Sequence, residues 1–248
     1  MFQQLIASSL VTPPAIWGKL PAHADFVRSR MRHGESEGWR PWLAEKGRLA
    51  RSNRGADVPV SFVLPPGVLS FASRRFVIGV ITPSLDKVGR VHPLLVYQLA
   101  HQRWVMAHFG QDEAMPRNWL FWLARAVARH TAVPAEADLH ALERTVHGLW
   151  LGHAPRLRDL LAMGRQRERN ASVQGQAALA HADALDRLAG PAPQNDPGAA
   201  LRGVRFFPRM DWPSGLQRGR GEGVFWQQDT AGGYVNASSR LPTFWSAP

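Results

Sequence analysis

The sequence predicts an α/β fold in which a mixed, mainly antiparallel central sheet is covered by helices, with a mostly helical middle region. Two short apolar runs, Phe76–Ile81 and Leu94–Leu99, are rich in β-branched and bulky residues and bounded by Pro and Gly, as strands buried on both faces are. Other strand-like segments fall in the first hundred residues and the last fifty, instead of alternating with helices as a doubly wound parallel sheet requires. From about 101 to 190 apolar residues recur at helical spacing.

In chain order, residues 1–14 read as a loose N-terminal arm and 15–248 as a single domain. Ile16–Phe26 begins as a strand and breaks at Pro21 into a loop carrying His23 and Asp25, before Phe26 and Val27 return to the core. Gly38–Arg51 places Trp39, Trp42, Leu43, Leu49 and Ala50 on one helical face, with Pro41 suited to its first turn. Val58–Leu64 alternates as a strand and stops at Pro65-Pro66-Gly67. After the central pair, Asn118 is a plausible cap for a helix over Trp119–His130, and Leu139–Trp150 repeats at three and four residues as a second. A shorter helix lies between Pro155 and Gly164, and an Ala-rich one spans Ala177–Leu188. Gly190–Gly198 is a linker or long turn by composition. Strands return over about 203–237, at Val204–Phe207, Gly223–Trp226 and Gly233–Asn236.

Composition excludes several classes of function. There is no Cys, which removes disulfides, thiolate metal sites and a Cys nucleophile, and agrees with a reducing compartment. No apolar run reaches the roughly 18 residues of a membrane-spanning helix, and the N-terminus lacks the basic start of a secretory signal. The expected location is the cytoplasm, without direct membrane insertion. A net charge of +11 admits a nucleic-acid binder, but the Arg residues are spread over loops and helix faces, with no groove-reading motif. A solvated basic surface suits an acidic protein partner equally well, so no nucleic acid is expected.

Chemistry centres on the loop Thr82–His92 between the two central runs. Ser84, Asp86 and His92 supply the residue types of a hydrolase triad, yet no G-x-S-x-G elbow accompanies Ser84, and triads usually assemble from separate elements. The alternative is that Ser84 and Asp86 bond the turn's own backbone. The ten His show no metal-ligand spacing such as H-E-x-x-H, and no phosphate-cradling glycine loop is present. No catalytic residue, cofactor or metal is therefore assigned.

Two polar loops together resemble a known family. Trp17-Gly-Lys-Leu-Pro-Ala-His-Ala-Asp-Phe-Val27 and Pro83-Ser-Leu-Asp-Lys-Val-Gly-Arg-Val-His-Pro-Leu94 are similar to the paired motifs of the TagF proteins, also called ImpM, associated with bacterial type VI secretion. The tail Val224–Tyr234 is similar to the family's closing strands. Ala24 stands where that pattern has Gly, Lys87 where it has Arg, and His92 where it has an aromatic residue. The first departure bears most on geometry, because Gly would permit a positive φ that Ala resists.

The resemblance implies a three-layer α/β/α sandwich and a non-enzymatic accessory protein of the secretion system. It further implies a post-translational repressor that binds the system's forkhead-associated scaffold protein. Its motif residues here are Lys19, Pro21, Asp25 and Phe26 in the first loop, and Ser84, Asp86, Gly89, Arg90 and Pro93 in the second. Asp25 and Asp86 are expected to pair with Lys19 and Arg90 where the loops meet, partly exposed because buried ion pairs are costly. Such pairs either staple the loops or form the surface on which a partner docks. A basic nucleic-acid binder and a hydrolase using Ser84 are the alternatives.

Overall fold

The structure, a computed structural model, describes residues 9–48, 59–109, 119–132, 137–154, 223–228 and 234–236. Its elements are β1 (Ala15–Gly18), β2 (Val27–Ser29), α1 (Glu35–Arg48), β3 (Val60–Leu64), β4 (Phe76–Thr82), β5 (Leu94–Ala100), α2 (Gln102–Phe109), α3 (Trp119–Ala132), α4 (Leu139–His153), β6 (Val224–Gln228) and β7 (Tyr234–Asn236). The strands form one sheet in the order β2-β1-β5-β4-β3-β6-β7. Every pairing among them is antiparallel, so the mainly antiparallel sheet contains no parallel pair among the described strands.

Strand alternation divides the apolar residues between two cores. Ile16, Ile78, Val80, Leu94, Val96 and Val224 turn to one face, where they meet Trp104 of α2, Trp119 and Trp122 of α3 and Leu142 and Trp150 of α4. Trp17, Phe62, Val77, Ile81, Leu95 and Tyr97 turn to the other, beneath Trp39, Trp42 and Leu43 of α1. Helices on both faces make three layers. The two central strands are buried along their whole length, which is why they read as continuous apolar runs.

The first helix starts earlier than its apolar stripe indicates. Gly34 takes φ +85° and Glu35 accepts a hydrogen bond from the Arg32 N–H, so α1 begins at Glu35 and Pro41 lies inside it, beyond the first turn. Pro41 and Glu37 are both exposed, which leaves the carbonyl that Pro41 deprives of a donor on the solvent side. The N-terminal segment also differs from expectation, since residues 9–14 are not loose. Val11 is fully buried and bridges to Ala100, Thr12 N–H donates to Leu99 O at 2.9 Å, and Gln98 Nε2 donates to Thr12 O at 2.6 Å. Asp138 caps α4 through the Ala141 N–H at 2.9 Å. The proposed Asn118 cap, the helices after Pro155, the 190–198 linker and the Val204–Phe207 strand lie outside the described residues.

Gly79 in β4 faces Tyr97 across the ladder, and a Cβ there would lie 2.3 Å from Val96 O and 2.8 Å from Tyr97 Cα. Close backbone approach at the sheet centre therefore demands glycine. Gly79→Ala should lower unfolding free energy by roughly 1–3 kcal/mol, as overpacking does, measured by urea titration against wild type.

Candidate functional site

The two motif loops meet beside the β1–β5 pair. Gly18 ends β1 with φ +140°, and a Cβ on it would lie 2.3 Å from Pro93 O, so only glycine lets the first loop pass this close to buried Pro93. Lys19 and Leu20 follow, both buried. Pro21 then occupies the second position of a turn closed by His23 N–H to Leu20 O at 2.9 Å.

At the centre of the site is Asp86, fully buried. Oδ1 accepts the Val88 and Arg90 N–H groups at 3.0 and 2.9 Å. Oδ2 accepts Lys19 Nζ at 2.7 Å and Arg90 Nε at 2.6 Å. A carboxylate has about four acceptor positions, and all are used. Burial pushes the Asp86 carboxyl up, but the bonds from Lys19, Arg90 and Val88 outweigh it and hold the group well below the usual carboxylate range.

Three further bonds tie loop to loop. Ser84 Oγ donates to Lys19 O at 2.7 Å, Lys87 N–H donates to His23 O at 2.9 Å, and Arg90 Nη2 donates to Ala24 O. Gly89 supplies the turn with φ +87°. Ala24 takes no positive φ, so its replacement of glycine strains nothing, and its carbonyl is what Arg90 uses.

Several expectations are corrected by this geometry. The Lys19–Asp86 pair is buried, not partly exposed; completing all four acceptor positions is what makes that burial tolerable. Asp25 joins neither cation among the described residues. It is exposed and accepts its neighbour's N–H, from Phe26 at 2.7 Å, because a carboxylate in a tight turn reaches its own backbone first. Phe26 does not return to the core but is 41% exposed. Its ring stacks on Trp17 at 5.7 Å between centroids, with Lys19 Nζ 5.4 Å from its centre.

His92 completes that cluster, edge-on to Trp17 at 5.2 Å and to Phe26 at 4.7 Å. Burial lowers its pKa, with Lys19 and Arg40 adding to the effect against the bond to Pro93 O at 2.7 Å. A neutral imidazole thus packs as an aromatic ring in the aromatic position. The Ser84, Asp86 and His92 side chains form no relay: Ser84 Oγ is bonded to a carbonyl, Asp86 to cations and amides, and His92 to Pro93 O. Among the described residues no group of three or more His, Asp or Glu is placed to hold a metal, and no helix is long and apolar enough to cross a membrane.

Sequence reasoning missed Val88, an apolar side chain 66% exposed at the tip of the second loop. An apolar residue between Lys87 and Gly89 in a polar turn was the available signal. It also missed the link from His23 to α4, where Leu139 N–H points at Nε2 from 3.4 Å.

A family model described as the TagF N-terminal domain, type VI secretion system-associated, matches residues 15–149, more than half of the 248. Both loops lie inside the match. Among solved structures, the crystal structure of PA0076 from Pseudomonas aeruginosa PAO1 is similar with a TM-score of 0.51 and 22% identity, over 94% of this chain and 92% of that one. That similarity is one of fold. A search of curated proteins finds no match.

Asp86→Asn keeps the shape and removes the charge, so it should lower the melting temperature at neutral pH. The folded-state pKa lies below the unfolded value of about 3.9, so the stabilisation is complete above that value and is lost as pH falls through the folded pKa. The gap between wild type and Asp86→Asn should accordingly be constant from neutral pH to about 5 and shrink below about 4, followed by thermal melts across that range. At Gly89 a Cβ would meet nothing within 4 Å, so Gly89→Ala isolates the cost of its positive φ. That cost should be about 1–2 kcal/mol, read by denaturant titration.

Proposed function

The chain belongs to the TagF family of type VI secretion system-associated proteins, and from that premise we propose that it is a cytoplasmic, non-enzymatic repressor acting after translation by binding the system's forkhead-associated scaffold protein. The observation that carries the reading is a pair of exposed apolar side chains, Phe26 and Val88, on two loops locked together by the buried Asp86 carboxylate. Exposed apolar groups on rigid loops favour a protein contact, because little conformational entropy is lost when a preformed surface docks. Around them stand the exposed Asp25, Lys87 and Arg90, the mixed polar rim usual for an interface.

This division assigns different roles within the motif. Lys19, Ser84, Asp86, Gly89, Arg90 and Pro93 shape and brace the loops; Phe26 and Val88 meet the partner. The bonds already made by Ser84 and Asp86 favour bracing over hydrolysis.

Replacing Phe26 by Ser and Val88 by Glu together should leave the melting temperature within a few degrees of wild type, while weakening capture of the purified scaffold about tenfold or more, as the loss of central apolar contacts does. Overproduction of wild type should stop secretion of the apparatus's substrates, and overproduction of the double variant should not. Unchanged capture by the double variant would count against this docking surface, and unchanged secretion with wild type against repression.

A further inference from the structure

His92 contributes the imidazole of the aromatic cluster that carries Phe26. It stands edge-on to Trp17 at 5.2 Å and to Phe26 at 4.7 Å, and its Nδ1 lies 2.7 Å from Pro93 O. A carbonyl oxygen only accepts, so Nδ1 carries the proton and donates it. In the neutral ring Nε2 is therefore a bare acceptor. It has no hydrogen-bond or ion-pair partner among the described residues, and it is not sealed from solvent.

The surroundings favour that neutral form. Burial lowers the pKa of the ring, and the charges acting on it are those of Lys19 in the first loop and Arg40 in α1. No carboxylate lies within ion-pair distance of His92 among the described residues, and Asp86 is already taken up by Lys19 and Arg90.

The acceptor gains a consequence once Phe26 is covered. A partner that seats an apolar group on the exposed Phe26 ring displaces water from the imidazole packed against it as well. An acceptor stripped of water and left unmatched costs more than a matched one returns. The group that covers Phe26 must then bring a donor for Nε2. A carboxylate or carbonyl there would set acceptor against acceptor, and an ammonium would meet Lys19 and Arg40.

Resting on the docking surface described above, we propose that His92 Nε2 is its selectivity point, accepting a hydrogen bond from an uncharged N–H or O–H group of the partner beside Phe26. The contact segment is thereby specified as an apolar side chain flanked by an amide or hydroxyl donor.

Nitrogen NMR of the full chain locates the His92 titration and should show the proton of the neutral ring on Nδ1. Capture of the purified scaffold is then compared above and below that titration for wild type, for His92→Phe and for the double variant Phe26→Ser, Val88→Glu. His92→Phe keeps a ring in the slot, so it should melt within a few degrees of wild type and yet weaken capture about three- to tenfold above the titration, as the loss of one hydrogen bond does. Protonation turns Nε2 into a donor, so the advantage of wild type over His92→Phe should vanish below it. A purely structural role for the ring would leave that ratio unchanged. The inference is overturned if the proton resides on Nε2, if His92→Phe captures the scaffold as wild type does, or if the ratio of the two is the same on both sides of the titration. Unchanged capture by the double variant, or none by wild type, overturns the docking surface itself and this selectivity with it.

Discussion

One carboxylate, that of Asp86, is the constraint on which the rest depends. Taking an ionised group out of water costs several kcal/mol, and the protein tolerates it because every acceptor position is filled, two by backbone amides and two by cations. The amides curl the second loop around its own aspartate, and Lys19 pins the first loop to it. The two sets act together: the amides give the carboxylate its directional bonds within the loop, and Lys19 adds a charged bond from the first loop to those from Ser84, Lys87 and Arg90. Low solvent exposure then strengthens each remaining interaction.

The sheet makes this meeting possible. Antiparallel pairing of β1 with β5 puts the exit of one strand beside the entrance of the other, so Gly18 runs against Pro93 and the loops emerge at the same end. The two cores hold that register from opposite sides, because a slip of one residue would exchange the sets of side chains facing α1 and α3. β6 and β7 extend the same sheet beyond β3, outside the residues 15–149 that the family model matches.

The sheet and its helical cover were legible because buried strands and amphipathic helices leave regular apolar patterns. Boundaries were not, where the deciding contact is local and polar: α1 begins at Glu35 through Gly34 and the Arg32 N–H, while Pro41 pointed to a later start. The motif loops were legible as a pair, but the two aspartates look alike in sequence. Asp86 gains four donors through a fold contact 67 residues away and its own turn, whereas Asp25 spends an oxygen on the next amide. Phe26 read as core because an aromatic beside Val27 usually is; its ring lies on the outer side of Trp17. Glu35 gave no signal at all, since its partner Tyr97 is 62 residues distant and lies in an apolar run.

The strand order carries a consequence for how the molecule is assembled. β3, β4 and β5 are adjacent both in sequence and in space and can zip up as a local meander, whereas β1 and β2 make a hairpin of four and three residues, too short to persist in water by itself. Lys19 follows β1 and Asp86 lies between β4 and β5, so their ion pair forms only where β1 has paired with the edge of β5. The Asp86 cage therefore depends on correct registration of β1 on β5, and the mutual placement of Phe26 and Val88 depends on the cage.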